Sequence, residues 1–538
     1  METQQSNFSD SEELDVPLNP VFLDWLLMRG TRDLRDLEEL FTAIAIAIEQ
    51  IDQSLVRLVR QVLSNERFRQ LESSYRSIFR LITQGASEDF LIRKMPKSRE
   101  VNVFVFDISA EELTSDLNAN SYRQTWLYDK LFRKRFDYLI GEQNVDLENF
   151  TAIFPFSLML VDFDFGLKDG SGSVNHQIGL ESLRKLARVG EECFCMFLVN
   201  LSPNFFGDSI DSFRKLENII DIEAILRQPR FDRWNEFRQQ DYSRMIGLTM
   251  PRVLIRKPYR NYRMGHSVHA DGTPSAATGI VFNEHDGFEL PDKLLWGRSC
   301  FAVAQPIIRS FRLYDWFSDV TGIDRDPKQL ASEDEVAESG YDCGVVDRLP
   351  ATYFQTDSPG VVTYPPVEII ISETDEAVFS SLGFIPLFAV HQSWYAALLS
   401  CQSVQEVRVM TTEDVSNNLQ LSSMFNYMLC VCRMAHRLRI ECRGQIGKSV
   451  GPEEIQDHMQ EWLMKHSSGQ NRGHEQKMVK PFFDEGTGFF VHEDVTDPGK
   501  YDCTVRLCPH HKYDNGHTSV TFEPVTMQMQ LNSSEGGE

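Results

Sequence analysis

Three groups of residues carry types and spacings that could do chemistry. The first is GQIGKS at 444–449. A phosphate-binding loop needs a glycine five residues before its Gly-Lys pair, so that enough backbone N–H groups curl round the phosphates. That position is Cys442, and Gly444 leaves the loop two residues short. The segment also follows a helical pattern, where the motif should follow a strand. A turn ending a helix accounts for it better. The second group is Asp162 and Asp164 in LVDFDFG, two apart on one face of a strand pattern. Paired carboxylates serve acid/base or metal chemistry, but no His, Arg or glycine-rich loop stands beside them in sequence, so they read as solvated acids at a strand end. The third is Cys503, Cys508, His510 and His511. On a straight strand, Cys503 and Cys508 face opposite sides, and no second CxxC or HxxxH completes a zinc tetrad. His266, His269 and His285 lie in a small-residue loop with no carboxylate pattern to match. No cofactor, metal or catalytic constellation is expected, and the chain does not read as an enzyme.

Two strand-rich regions and an N-terminal helical one must position these residues. Residues 1–16 are polar and acidic and read as disordered. Within 17–99, Ile44, Ile48, Ile51, Leu55, Leu58 and Val62 recur at steps of three and four, and Phe68, Leu71, Tyr75, Ile78 and Ile82 continue the pattern. This predicts an amphipathic helical pair with one apolar face to bury. From about residue 100 to 364, VNVFVFDIS, FPFSLMLVDFDF, CFCMFLVN and PRVLIRKPY read as strands. IGLESLRKLARVG and FDRWNEFRQQDYSRMIG between them read as helices. That alternation predicts α/β layers with some parallel pairing. The small, polar stretches 263–279 and 324–347 read as surface loops.

Residues 365–525 form the third part. It holds strands VEIIIS and GFIPLFAV, a long helix over 422–443, and a helix over 453–466 opened by Pro452. Strands YDCTVRL and SVTFEPV form a hairpin near its end, and 526–538 is a flexible tail. The fold class is mixed α/β, multi-domain.

Composition narrows the function. With 79 acidic and 54 basic residues the net charge is −25, which repels nucleic-acid backbones. The opening METQQSNFSDSEELDV carries acids where a signal peptide needs Lys or Arg. The longest apolar run, Ile153 to Val161, falls short of the roughly 18–20 residues of a membrane helix. Neither nucleic-acid binding nor membrane insertion is expected. The ten cysteines, several inside apolar runs (Cys193, Cys195, Cys430, Cys432), read as small buried hydrophobes in a reducing compartment.

Eight segments in register resemble the large sheath subunit of type VI secretion systems, the VipB or TssC family. They begin with the helical stretch IEQIDQSLVRLVRQVLSNERFRQLESSYRSIFRLI, whose core is Phe68, Leu71, Glu72 and Arg76. SPNFFG at 202–207, RWNEFRQQDYSRMIGLTMPRVLIRKPY at 233–259 and LLWGRSCFAVAQPIIRSFRLYDW at 294–316 follow. LPATYFQTD at 349–357, GFIPL at 383–387, RMAHRLRIECRGQIG at 433–447 and DPGKYDCTVRLCPHHKY at 497–513 complete the order. The GQIGKS decoy overlaps one of these blocks.

The resemblance implies a structural, phage-tail-sheath-like protomer with a small partner subunit (VipA- or TssB-like). It implies copies of itself in a helical polymer around a tube of Hcp hexamers, contraction that drives the tube, and a bacterial cytoplasmic location on a membrane-anchored baseplate. A ClpV-like unfoldase recycles some members through a short N-terminal helix, for which NPVFLDWLLMRG at 19–30 is the one stretch available here. The small-subunit interface is expected on Ile44, Ile48, Ile51, Leu55, Leu58 and Val62. An intersubunit strand linkage is expected through Tyr501, Cys503, Val505 and Leu507 with Val520 and Phe522. Glu453, Glu454, Asp457 and Glu461 are read either as a solvated helix face or as acids lining the lumen toward the tube. The alternatives are an NTP-binding or hydrolytic enzyme using 444–449 or the aspartate pair, and a baseplate or phage-tail-like sheath component.

Overall fold

A computed structural model describes residues 37–87, 101–119, 121–133, 156–167, 177–218, 221–260, 262–264, 280–285, 293–314, 317, 320–322, 344–346, 349–350, 352–355, 361–389, 396–407, 423–445, 452–464, 488–493, 501–507 and 525–531. The chain divides into two compact units. One comprises residues 1–70 and 258–289, the other 71–257 and 290–538.

The smaller unit is built on α1 (Leu37–Ser64) and the first residues of α2 (Glu66–Ser87). An antiparallel hairpin of Tyr262–Met264 with Ile280–Phe282 accompanies them. Arg60 Nε donates to the Asn283 carbonyl at 2.8 Å, and Phe282 is buried beside the Tyr259 ring. Arg263 and Met264 are therefore strand residues rather than part of a loop.

The larger unit is organised by a parallel five-stranded sheet. Its strands are β1 (Leu158–Phe165), β2 (Gln177–Ile178), β3 (Met196–Leu201), β4 (Ile246–Met250) and β5 (Phe384–Pro386), in the order β5-β4-β3-β1-β2. β3 and β4 are buried at every residue, as expected of parallel strands covered on both faces. Met196 and Leu198 of β3 join one core, and Phe197, Val199 and Leu201 join another on the opposite face. α3 (Leu180–Cys193) and the ring cluster of Phe205, Phe206, Phe231, Trp234, Phe237 and Phe384 fill the second core. α4 (Cys300–Tyr314) and α5 (Phe425–Gln445) fill the first, and α6 (Pro452–Met464) adds Ile455 and Met459 to it. Gly247 lets α5 approach: a Cβ there would stand 2.8 Å from the Phe425 ring. Gly383, at φ +85, makes the turn from helix Glu373–Ser381 into β5.

Near the C-terminus lies a separate antiparallel sheet of β6 (Gly488–Glu493), β7 (Tyr501–Leu507) and β8 (Val525–Leu531), with β7 in the middle. The expected two-stranded hairpin is thus three strands. β8 occupies part of the expected tail, while Val520 and Phe522 lie outside the described residues.

Other expectations fail on particular residues. VNVFVFDIS forms no strand: residues 101–109 carry no assigned pairing. VEIIIS contributes only a single bridge, Val367 to Val253, because Glu368 turns inward to Arg252 at 2.6 Å and to the Ser212 hydroxyl. Ile246 and Gly247, read as the end of a helix, begin β4. The boundary expected at 364/365 falls within one folded body, since β5 pairs with β4. Val345 and Val346, placed in the 324–347 loop, form a short buried strand.

Candidate assembly surfaces

Within the larger unit, α2 is folded inside out. Its inward face is largely polar, with Ile78 and Leu81 as its apolar contacts to the core. Ser73 and Ser77 are buried, Glu72 pairs with Arg256, the Ser74 hydroxyl donates to Asp162, and Arg80 donates to the Ile255 carbonyl at 2.7 Å. No Cβ would fit at Gly297, whose place is taken by Ser73 and Ile255, so the helix lies close against strand Leu295–Gly297. The outward face is apolar: Leu71, Tyr75, Phe79 and Ile82 recur at helical spacing, with Tyr75 at 70% and Phe79 at 67% exposure. Ile78 is the one member of the expected stripe that packs on the core.

In α1 the same holds of the predicted residues. Ile48, Ile51, Leu55, Leu58 and Val62 are exposed, Ile44 is half-buried, and Phe41 and Ile46 add to the exposed surface. Burying a side chain of this size contributes about 1.5–3 kcal/mol. Each helix therefore withholds several kcal/mol that a covering partner would release.

The aspartate pair is not a solvated strand end. Asp162 and Asp164 project from β1 on the face opposite Val161, Phe163 and Phe165, and Arg298 answers both. Its Nη1 lies 3.0 Å from Asp162 Oδ1 and its Nε 2.9 Å from Asp164 Oδ1. Burial works against the Arg298 charge, yet Asp164 and Asp162 outweigh it and hold its pKa above the usual guanidinium value. The neighbouring residues fix this arginine. The Cys300 N–H donates to Asn200 Oδ1 at 2.9 Å, and the Asn200 amide donates to the Val161 carbonyl at 3.0 Å. With one guanidinium shared between the two carboxylates, the cluster braces β1, α2 and the start of α4.

The other chemical decoys resolve similarly. α5 runs through Gly444 to Gln445, so a helix and not a strand leads into the glycine-lysine pair, which itself lies outside the described residues. Cys193, Cys195, Cys430 and Cys432 are buried, and burial pushes the Cys432 thiol up to about 12. Among the described residues no His, Cys, Asp and Glu group is arranged to hold a metal ion. Cys508, His510 and His511 lie outside them. No helix of the described residues is long and apolar enough to cross a membrane.

On α6, Glu453, Glu454, Asp457 and Glu461 are exposed while Ile455 and Met459 are buried, so the acids share the outer face. In the C-terminal sheet Tyr501, Cys503, Val505 and Leu507 belong to the central strand, paired on both sides. Among the described residues the outer strands of this sheet are β6 and β8.

The family profile for the VipB (EvpB/VC_A0108) tail sheath N-terminal domain matches residues 45–405, and that for its gpW/gp25-like domain matches residues 414–525. The type VI secretion system sheath protein TssC1 of Pseudomonas aeruginosa is 27% identical over 476 residues, covering 88% of this chain and 83% of that protein. A sheath tail protein from Desulfitobacterium hafniense, known from its crystal structure, aligns over 74% of this chain and 59% of its own length. It does so at 10% identity and a TM-score of 0.27, too low to bear on the fold. The two family profiles define a tail-sheath protein. The chain belongs to the VipB family of type VI secretion sheath proteins, as the large subunit. Membership in this structural family implies a small sheath partner and polymerisation with further copies.

Proposed function

We propose that this chain, without catalysing any reaction, forms the wall of a contractile sleeve that closes round an Hcp-like tube and drives it outward from a baseplate. The observation that carries the reading is α2 itself, with the Glu72–Arg256 pair, Ser73 and Ser77 inward beside Ile78 and Leu81, and Leu71, Tyr75, Phe79 and Ile82 outward. A helix so arranged is incomplete alone, and the small subunit is the partner that covers it, together with the exposed face of α1. Head-to-tail contacts that do not close generate an open helix, so repetition of one heterodimer builds the sleeve. The edges of β6 and β8, unpaired among the described residues, suit strand addition between neighbours. A linkage of that kind holds while rigid bodies rotate from an extended to a contracted packing. The acids of α6 would face the tube. Assembly would take place in the bacterial cytoplasm on a membrane-anchored baseplate, with recycling by a ClpV-like unfoldase through 19–30.

Negative-stain microscopy of the chain co-expressed with its small subunit tests this. Long hollow sleeves are expected. A stable heterodimer that never polymerises, or a well-behaved monomer that ignores the small subunit, refutes it. The competing nucleotide-binding reading is tested with Lys448→Ala, which should leave sleeves unchanged, while calorimetry of the parent protein with ATP and magnesium should show no binding heat.

A further inference from the structure

The parallel ladder between β1 and β3 breaks its register once. Val161 stands opposite Val199 and Asp164 opposite Asn200, so Asp162 and Phe163 have no partner on β3. Bulges are rare in parallel pairs, and where they occur they re-aim a side chain or end the pairing. Here the pairing resumes, and the even insertion leaves the alternation of faces in phase. It adds Phe163 to the second core and Asp162 to the opposite face. Asp162 is the residue that accepts from the Ser74 hydroxyl of α2. Asn200, 3% exposed, bridges the bulge. Its amide donates to the Val161 carbonyl at 3.0 Å and to the Phe163 carbonyl at 3.4 Å. Its Oδ1 accepts from the Cys300 N–H at 2.9 Å and from the Thr249 hydroxyl at 3.2 Å. The same asparagine thus fixes the bulge and the start of α4, next to Arg298, which answers Asp162 at 3.0 Å.

On α2, Glu72 and Ser74 are two residues apart in sequence and so about 200° apart round the helix axis. They flank the inward face, with Ser73 and Ser77 buried between them. Glu72 is tied to Arg256 on one flank, and Ser74 to Asp162 on the other. Ile78 packs on the Ser74 flank as well, but apolar contact is non-directional. Polar ties on both flanks fix the rotation of a helix about its axis, and with it the direction in which Leu71, Tyr75, Phe79 and Ile82 point. We propose that Asp162 and Asn200 are positioning residues for assembly: the β1 bulge supplies the carboxylate that holds Ser74, and so sets the roll of α2 that presents its apolar stripe to the small subunit. This goes beyond the reading of α2 as the small-subunit surface and rests on it. Stability alone would favour an unbroken β1–β3 ladder. The bulge instead interrupts that ladder, requires a buried asparagine to answer two carbonyls, and gains on this face one residue, a carboxylate directed at α2.

The test chases fluorescently labelled small subunit out of the purified heterodimer with an excess of unlabelled small subunit and reads the exchange rate. Ser74→Ala removes only a hydroxyl and favours the helix, so the variant should fold. Ser74→Ala and Asp162→Ala should each raise the rate about fivefold or more, and the double variant no further than either, since both cut one tie. Ser74→Thr, which keeps the hydroxyl donor, should stay within about twofold of the parent. Val189→Ala, a buried change in α3 on the second core, should lower the unfolding midpoint and leave exchange within about twofold. An unchanged rate in Ser74→Ala, a further rise in the double variant, or an equal rise in Val189→Ala overturns the proposal. Tyr75→Ala in parallel separates it from the reading beneath it. Faster exchange in that variant with none in Ser74→Ala keeps α2 as the interface and removes the positioning role alone, while no change in either removes both.

Discussion

Glu72 and Arg256 stand 184 residues apart in sequence and meet through two contacts, Arg256 Nε to Glu72 Oε1 at 2.6 Å and Nη2 to Oε2 at 3.2 Å. Both side chains are under a tenth exposed, at 9% and 8%. Arg76 also reaches Glu72, at 2.8 Å, so losing Arg256 leaves the carboxylate answered, whereas losing Glu72 leaves the Arg256 charge buried without its carboxylate, which costs about 3–5 kcal/mol. Glu72→Ala should therefore lower the unfolding free energy of the heterodimer by that order, whereas Glu72→Leu with Arg256→Met should come much closer to the parent. Denaturant titration of the purified pair measures both. A single-variant loss below about 1 kcal/mol would show that the pair is solvated in solution.

The outward stripes predict a separable effect. Leu55→Glu with Leu58→Glu, and independently Tyr75→Glu with Phe79→Glu, alter exposed positions where substitution ordinarily changes stability by less than about 0.5 kcal/mol. Circular dichroism of any soluble variant should match the parent, yet co-purification with the small subunit should be lost. Retained stoichiometric pairing would move the interface elsewhere.

Charge reversal on α6 addresses the tube. Glu453→Lys, Asp457→Lys and Glu461→Lys combined should leave the heterodimer intact and abolish sleeves assembled on preformed tubes. Raising salt should weaken the parent's assembly in the same assay. Equal sleeve yields from parent and variant would assign these acids to the solvated face.

The central place of β7 sharpens the prediction for the C-terminal sheet. Val505 pairs with Phe489 on one side and Met527 on the other, so Val505→Pro interrupts two ladders at once. The heterodimer should survive and sleeves should not. Deleting residues 500–538 should act likewise. Size-exclusion chromatography beside electron microscopy distinguishes the outcomes, and normal sleeves from the truncated chain would exclude the sheet as a link between neighbours.

Much of the body was legible in sequence where burial makes a continuous signal. MFLVNL is apolar but for Asn200 because β3 is buried at every residue, and LMLVDFDF alternates because only Val161, Phe163 and Phe165 of β1 are buried. β4 escaped because IGLTM follows a helical pattern and carries a glycine that, in three dimensions, serves the approach of Phe425. Arg298 escaped because the residues it neutralises lie 134 and 136 positions away. The local hint was an arginine standing between the strand pattern LLW and an apolar helix. The segment at 101–109 reads as a strand in sequence, yet the described residues of this chain supply no pairing strand. The stripe on α2 was visible in its spacing. That its opposite face would be held by ion pairs was not, since Arg256 arrives from another part of the chain.

The contact between His436 and Cys193 sets the order in which the molecule can be made. His436 Nε2 donates to the Cys193 carbonyl at 2.7 Å, both residues are buried, and α5 as a whole fills the core against β3. The first core therefore stays open until the ribosome has passed Leu438. At roughly 5–20 residues per second, that is about 20–70 s after α2 has emerged. Through that interval the nascent chain displays the apolar face of α2, and toward its end the unfilled side of the sheet as well. A small subunit translated nearby would meet α2 during synthesis, so expressing the two proteins from one transcript should yield more soluble pair than mixing separately made chains.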